Sequence, residues 1–294
     1  MTLRRELHQA NRLSWNEATR VHNAHKRDQA AFLKAGGSTL FPEELELLGD
    51  VRGLRIAHLQ CNAGQDTLSL AARGAIVTGV DISDEAIAFA QGLSADSGIM
   101  ARFERADVFE WLEEAGATGT RFDVVYCSYG VAAWLSDLAP WARGIERVLV
   151  ENGRFVYLEF HPLVWSFDEQ FRFCRDPYFA PGRVFDHPVQ DYVGAAGALL
   201  APSGFVETSD PFHNPRPAHA FQWTLADLLT AVAQAGLSLE RFEEYPFANG
   251  CRVIPSLVER EGRRLYPPEG VASPPLMFGL SARAGGLPPT RPAR

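Results

Sequence analysis

The chain of 294 residues carries 36 acidic against 28 basic side chains, a net charge of −8, and is 46% hydrophobic and 22% charged. That is a globular composition, long enough for one large domain or a domain with an appendage, and its acidity argues against broad contact with nucleic-acid backbones. No apolar run approaches the roughly 18 residues of a membrane span, and the start "MTLRRELHQANRLSW" lacks a signal-peptide core, so no membrane partner and a cytoplasmic location are expected. Cys61, Cys127, Cys174 and Cys251 are widely separated without CxxC spacing. Free thiols and no metal site are expected, since the scattered histidines complete no ligand set.

Residues 1–50 are polar, with Leu, Trp, Val and Phe at loose three-to-four spacing, which predicts a helical N-terminal segment broken at Gly36 and Gly37. Pro42 then sits at a plausible first helical position. From Leu54 the rhythm changes. "LRIAHLQ" predicts a strand, "QDTLSLAARG" a helix, "AIVTGVD" a strand, and "SDEAIAFAQGLSADSG" a helix capped by Ser83. "ARFERAD" and "FDVVYCSYG" follow as strands, "LAPWARGIERVL" as a helix, and "GRFVYLEF" as a strand after a turn at Asn152 and Gly153. Residues 161–222 lose this periodicity, are rich in Pro, Phe, His and Asp, and are too long for a plain loop, which predicts an inserted cap. "TLADLLTAVAQAG" resumes the pattern as a helix, followed by strands "SLERFEEYPF" and "PLMFGLSARA" joined by a hairpin-like connection. The division expected is a sheet domain over 51–160 and 223–284, with a disordered tail over 285–294.

Strands alternating with helices of this length predict a doubly wound, Rossmann-like α/β fold, with a seven-stranded sheet that is mainly parallel and an antiparallel last strand. Ligands of such sheets bind beyond the carboxyl ends of the strands at the topological switch point. Four segments reach that edge: residues 60–67, Asp81, Asp107 and "CSYG".

The order of these segments resembles the class I S-adenosylmethionine-dependent methyltransferases, well over 54–160 and more loosely from Thr224 onward. In that family the first strand runs into an acid and three alternate glycines. Here the acid position holds His58 and the glycine positions hold Gln60, Asn62 and Gly64. The run "HLQCNAGQDTLSLAARGAIVTGVDIS" is similar to a bacterial subgroup in which that replacement is characteristic. A dinucleotide site needs glycines so that a pyrophosphate can approach the backbone. S-adenosylmethionine has no phosphate, and Gln60 and Asn62 supply polar groups for its amino-acid part.

The resemblance implies cofactor contacts at Gln60, Cys61, Asn62 and Gly64. Asp81 accepts the ribose hydroxyls and Ile82 covers the adenine; the competing role for Asp81 is a helix cap. Asp107, with Val108, falls beside the adenine amino group, and Asp107 is also placed to cap the next helix. Cys127 and Ser128 close the fourth strand where methionine moiety and acceptor meet. Trp15, Asn16 and His22 are candidates to fold over the cofactor. "CSYG" is not the motif of enzymes that methylate nucleic-acid bases. The reaction implied is methyl transfer to a small-molecule acceptor, leaving S-adenosylhomocysteine, with His161 or Tyr129 as candidate catalytic residues. Two rivals remain: a non-catalytic S-adenosylmethionine-binding module and a nucleotide-dependent oxidoreductase. Oligomeric state and acceptor atom have no sequence signal.

Overall fold

The computed structural model describes residues 3–208 and 211–285. Three helices lead, α1 (Arg5–Ala24), α2 (Gln29–Lys34) and α3 (Pro42–Leu48), the last with proline at its start. The alternating part follows as β1 (Arg55–Leu59), α4 (Gln65–Ala72), β2 (Ile76–Asp81), α5 (Asp84–Ser97), β3 (Arg102–Arg105) and α6 (Val108–Ala117). It continues through β4 (Phe122–Ser128), α7 (Leu138–Val148) and β5 (Leu149–Phe160). Three of these helix starts are fixed by side chains. Ser83 accepts from the N–H of Ala86, Asp107 from that of Phe109, and Asp137 from that of Ala139.

The inserted region holds a short 3₁₀ turn (Pro162–Ser166), the ribbon of β6 (Val184–Asp186) with β7 (His219–Phe221), and α8 (Tyr192–Ala196) between them. Then come α9 (Leu225–Gln234), capped reciprocally by Thr224 and Asp227, and β8 (Ser238–Tyr245). The expected simple connection after β8 is instead a three-stranded sheet of β9 (Ala248–Asn249), β10 (Val258–Arg260) and β11 (Arg264–Tyr266), before β12 (Met277–Arg283). Beyond Gly285 the tail expected to be disordered lies outside the described residues.

The main sheet has seven strands in the order β3-β2-β1-β4-β5-β12-β8. The first five are parallel to one another, and β12 runs antiparallel to both β5 and β8. The last strand in sequence therefore enters between two others rather than at an edge. Its residues explain why: Met277, Phe278, Leu280 and Ala282 are fully buried, as an interior strand requires. β5 starts at Leu149, before the turn expected at Asn152 and Gly153. It passes through Asn152 at φ 61°, and its pairing with β4 slips between Phe122 and Val124, so the turn signal marks an irregularity inside a strand.

Both sheet faces are covered, because alternate residues of each central strand serve different cores. Ala57, Leu59, Val125, Cys127, Phe155 and Tyr157 pack with α6, α7 and α9. Ile56, Val77, Val124, Tyr126, Val156 and Leu158 pack beneath α3 and α4. The order of strands reverses between β1 and β4, so the switch point opens at residues 60–64 and 128–131.

The N-terminal segment and the insert close over that opening together. Ser14 Oγ accepts from Val189 N–H at 3.1 Å, Asn11 pairs with both backbone groups of His219, and His25 bonds Asp191 at 2.7 Å and the Val206 carbonyl at 2.8 Å. Polar side chains of α1 are buried here: His8, Asn11, Ser14, Thr19 and His22.

Candidate functional site

A cavity of about 500 Å³ lies at the switch point, roofed by α1 and the insert, within the roughly 300–1,000 Å³ typical of small-molecule sites. Its central wall is the loop after β1. Gln60, Asn62 and Gly64 all adopt left-handed backbone, at φ 53°, 49° and 77°. The loop thus keeps the conformation that glycine favours at the three alternate positions, with side chains at two of them. Gly64 alone has no room for substitution: a Cβ there would stand 2.7 Å from both the Ala90 methyl and the Phe103 ring.

The backbone of this loop is turned inward. Cys61 N–H donates to the Val80 carbonyl, Asn62 N–H to Asp81 Oδ2, Ala63 N–H to the Asn62 side-chain oxygen, and Gly64 N–H to the Cys61 carbonyl. All four donors are spent. A pyrophosphate would find none of these four N–H groups free, only the start of α4, which has no side-chain cap. The acceptors are a different matter. Gln60 donates its amide to the Val131 carbonyl at 3.3 Å, and its buried Oε1 has no protein partner.

At the end of β2, Asp81 accepts 2.8 Å bonds from the N–H groups of Asn62 and Ser83, one on each oxygen. It lines the cavity with Ile82, and does not cap α5, which Ser83 does. A carboxylate has about four lone-pair sites, so two hydroxyls can still be accepted. Burial pushes the Asp81 carboxyl up to about 6, with the Ser83 and Asn62 N–H bonds holding it back from a larger shift. Asp107 caps α6 through Phe109 N–H and also lines the cavity beside Val108. Its second oxygen bonds His8 Nδ1 at 2.7 Å, and His8 Nε2 bonds Ser136 Oγ at 2.8 Å. His8 stacks on Phe109 with ring centroids 5.3 Å apart, which ties α1 to this end of the cavity.

Trp15 also lines the cavity, edge-on to Trp134 at 5.4 Å and to Tyr192 at 6.2 Å. Asn16 sits behind it, binding Asp84 and Ser83. His22 is not on the wall. It is buried against Tyr192 and bonded to the Gln190 carbonyl at 3.0 Å, and burial pushes its imidazole down to about 4. Cys127 is likewise sealed in the core, because its side chain falls on the sheet face covered by α7, whereas Ser128 one residue on lines the cavity.

The two candidate catalytic residues separate in the same way. Tyr129 lines the cavity at φ 29°, and its hydroxyl accepts from Asn249 Nδ2 at 2.9 Å. Burial raises its pKa well above the ordinary tyrosine value, so it remains a neutral hydroxyl. His161 does not line the cavity: its Nδ1 accepts from Leu163 N–H at 3.1 Å and its Nε2 lies 3.2 Å from Glu244. Its place at a strand end is explained by that capping role, and the structure supplies no path from its ring to an acceptor. His58, at the family's acid position, bonds Thr67 at 2.8 Å and is pushed down to about 4 by burial, so it faces the cavity neutral.

The departure from glycine at Gln60 has a measurable cost. Gln60→Gly is expected to stabilise the fold by up to about 1 kcal/mol. It releases roughly 1–2 kcal/mol of left-handed strain against about 0.5–1 kcal/mol of added unfolded-chain entropy. A urea midpoint that falls instead would mean that the bond to Val131 outweighs the strain.

Several wall residues had no sequence signal. His8 and Asn11 come from α1, Gln222 follows β7, Asn249 lies on β9, and Lys26 and Arg263 occupy turns. Each belongs to a segment whose placement depends on packing onto the sheet, and none lies in a local motif.

Residues 51–176 match the model of a family described as a methyltransferase domain. No curated protein matches the chain. Among solved structures, an S-adenosylmethionine dependent methyltransferase from Mesorhizobium loti is 20% identical, with 84% of this chain and 99% of that one covered at a TM-score of 0.51. A putative S-adenosylmethionine dependent methyltransferase from Listeria monocytogenes is 16% identical over 83% of this chain and 96% of that one, with a TM-score of 0.57. A third, from Methanosarcina mazei, is 16% identical over 83% and 98%, with a TM-score of 0.50. The chain has the Rossmann-like fold of these methyltransferases.

Proposed function

We propose that the protein transfers the methyl group of S-adenosylmethionine to a small-molecule acceptor. The observation that carries this is the pairing of a loop whose four N–H groups are all spent with an acid, Asp81, that still has acceptor capacity. Such a wall suits a ribose and an ammonium group better than a pyrophosphate. The cavity of about 500 Å³, roofed by α1 and the insert, supports a small acceptor rather than a polymer.

When bound, S-adenosylmethionine supplies a methyl group already activated on a sulfonium, so the protein's work is alignment and exclusion of water. Asp81 holds the ribose hydroxyls. Ile82, Val108 and Phe109 enclose the adenine, with Asp107 at its amino group and His8 fixing Asp107. Gln60 Oε1 accepts from the ammonium of the amino-acid part. Ser128 and Tyr129 face the acceptor, and the Tyr129 hydroxyl orients it by donating its proton in a hydrogen bond. Tyr129 and His58 act on the acceptor by hydrogen bonding and not as bases, since Tyr129 stays protonated and burial lowers the basicity of His58.

Isothermal titration with S-adenosylhomocysteine and with NAD tests the reading. Saturable binding of S-adenosylhomocysteine and none of NAD is the expected result; the reverse pattern would replace it with an oxidoreductase.

A further inference from the structure

Two cations face the cavity without a carboxylate partner. The Lys26 side chain, between α1 and α2, lines the cavity and makes no hydrogen bond or ion pair with any described residue. Arg263, in the turn before β11, lies 4.1 Å over the Phe41 ring and donates only to the carbonyls of Leu199, at 3.4 Å, and Thr39, at 3.0 Å. A guanidinium has five N–H donors, so most of its capacity remains.

The acids nearby do not balance them. Asp66 is the shared neighbour of both cations, but its Oδ1 is taken by the Thr39 hydroxyl. Glu44 accepts from Phe41 N–H and the Tyr126 hydroxyl, and burial drives its carboxyl well up, toward the neutral form. Glu43 is paired with Arg264, and Asp176 with Arg175. Two cations thus face one available carboxylate, at a wall otherwise formed by Phe41, Phe160 and Leu200. Burial pushes the Lys26 ammonium down to about 8, the mark of a cation with too little compensation. An unpaired buried charge is costly, and the arrangement is completed by an anion. The other acids on the wall, Asp81 and Asp107, are the ones assigned to the ribose and the adenine.

We propose that the methyl acceptor carries an acidic group, a carboxylate or a phosphate on an apolar body, seated between Lys26 and Arg263. The inference rests on the methyltransferase reading and assigns the substrate class for the same site.

The test uses the full chain saturated with S-adenosylhomocysteine. Benzoate and phenyl phosphate are titrated against their neutral analogues benzamide and benzyl alcohol. At least one acid is expected to bind about tenfold or more tighter than its analogue, the worth of one charge-assisted bond, and the better of the two identifies the acid. Lys26→Met should abolish that preference, and Arg263→Lys, which keeps the charge, should retain most of it. S-adenosylhomocysteine affinity should stay within a few-fold in both variants. Equal binding of acids and neutral analogues overturns the proposal. So does a tenfold loss of S-adenosylhomocysteine affinity in Lys26→Met with acid binding intact, which would assign the cation to the cofactor's own carboxylate. Loss of S-adenosylhomocysteine binding by the unaltered protein is a separate outcome and removes the methyltransferase reading itself.

Discussion

Asp81→Ala is expected to weaken S-adenosylhomocysteine binding about 10- to 100-fold, the equivalent of roughly 1.5–3 kcal/mol for charge-assisted bonds to two hydroxyls. The fold should be much less affected. Removing the side chain frees the N–H groups of Asn62 and Ser83, which is unfavourable, but also removes a carboxylate whose desolvation is unfavourable in the native state. The pH dependence gives a sharper signature. With a native pKa raised to about 6, Asp81 binds its proton more tightly folded than unfolded. Its contribution to stability is therefore present at low pH and is lost as pH rises from about 4 through 6. Cofactor binding needs the ionised form and runs the opposite way: affinity should fall about tenfold per pH unit below about 6. Asp81→Asn should flatten that profile. A pH profile with the same break in Asp81→Asn would assign the titration to another group, and normal affinity in Asp81→Ala would remove the ribose contact.

Glu159→Gln is expected to destabilise the protein by about 3 kcal/mol and to weaken S-adenosylhomocysteine binding as a consequence. Glu159 is buried at the end of β5, and its two oxygens accept from the N–H groups of Gly130, Val131, Ala132 and Phe160 and from the Tyr157 hydroxyl. An amide keeps one acceptor oxygen and turns a donor toward other donors. Two or more buried N–H groups then lose their partner, at about 1–3 kcal/mol each. The groups affected are those that fold the segment after β4, so the strained backbone of Tyr129 and the wall at Ser128 and Val131 lose their support. Urea unfolding and titration of the same variant check both parts. A Gln variant as stable as the parent would show that Glu159 merely fills space.

The βαβ rhythm from Leu54 onward, the caps at Ser83, Asp107 and Thr224, and the acids at strand ends were legible because each is a local property. Periodicity, a polar residue before an apolar run, and an acid after a buried strand are decided within a few residues of chain. The fold class follows from that alternation, and with it the expectation that Asp81 and the loop around Gln60 meet at one sheet edge. Other features were settled only by packing over long separations in sequence. Sequence alone put His161 at a strand end as a candidate catalytic residue; the fold holds its ring against Leu163 N–H and Glu244, off the cavity wall. Cys127 and Ser128 are neighbours in the chain but point to opposite faces of the sheet, so only one meets the cavity. His22 was a candidate to cover the cofactor, but the insert buries it against Tyr192 and Gln190, off the cavity wall. Lys26 and Arg263 lie far apart in sequence, and nothing local marks either. They share a cavity wall because the roof over the sheet is assembled from α1, the insert and the small β9–β11 sheet, segments whose positions only the complete fold determines.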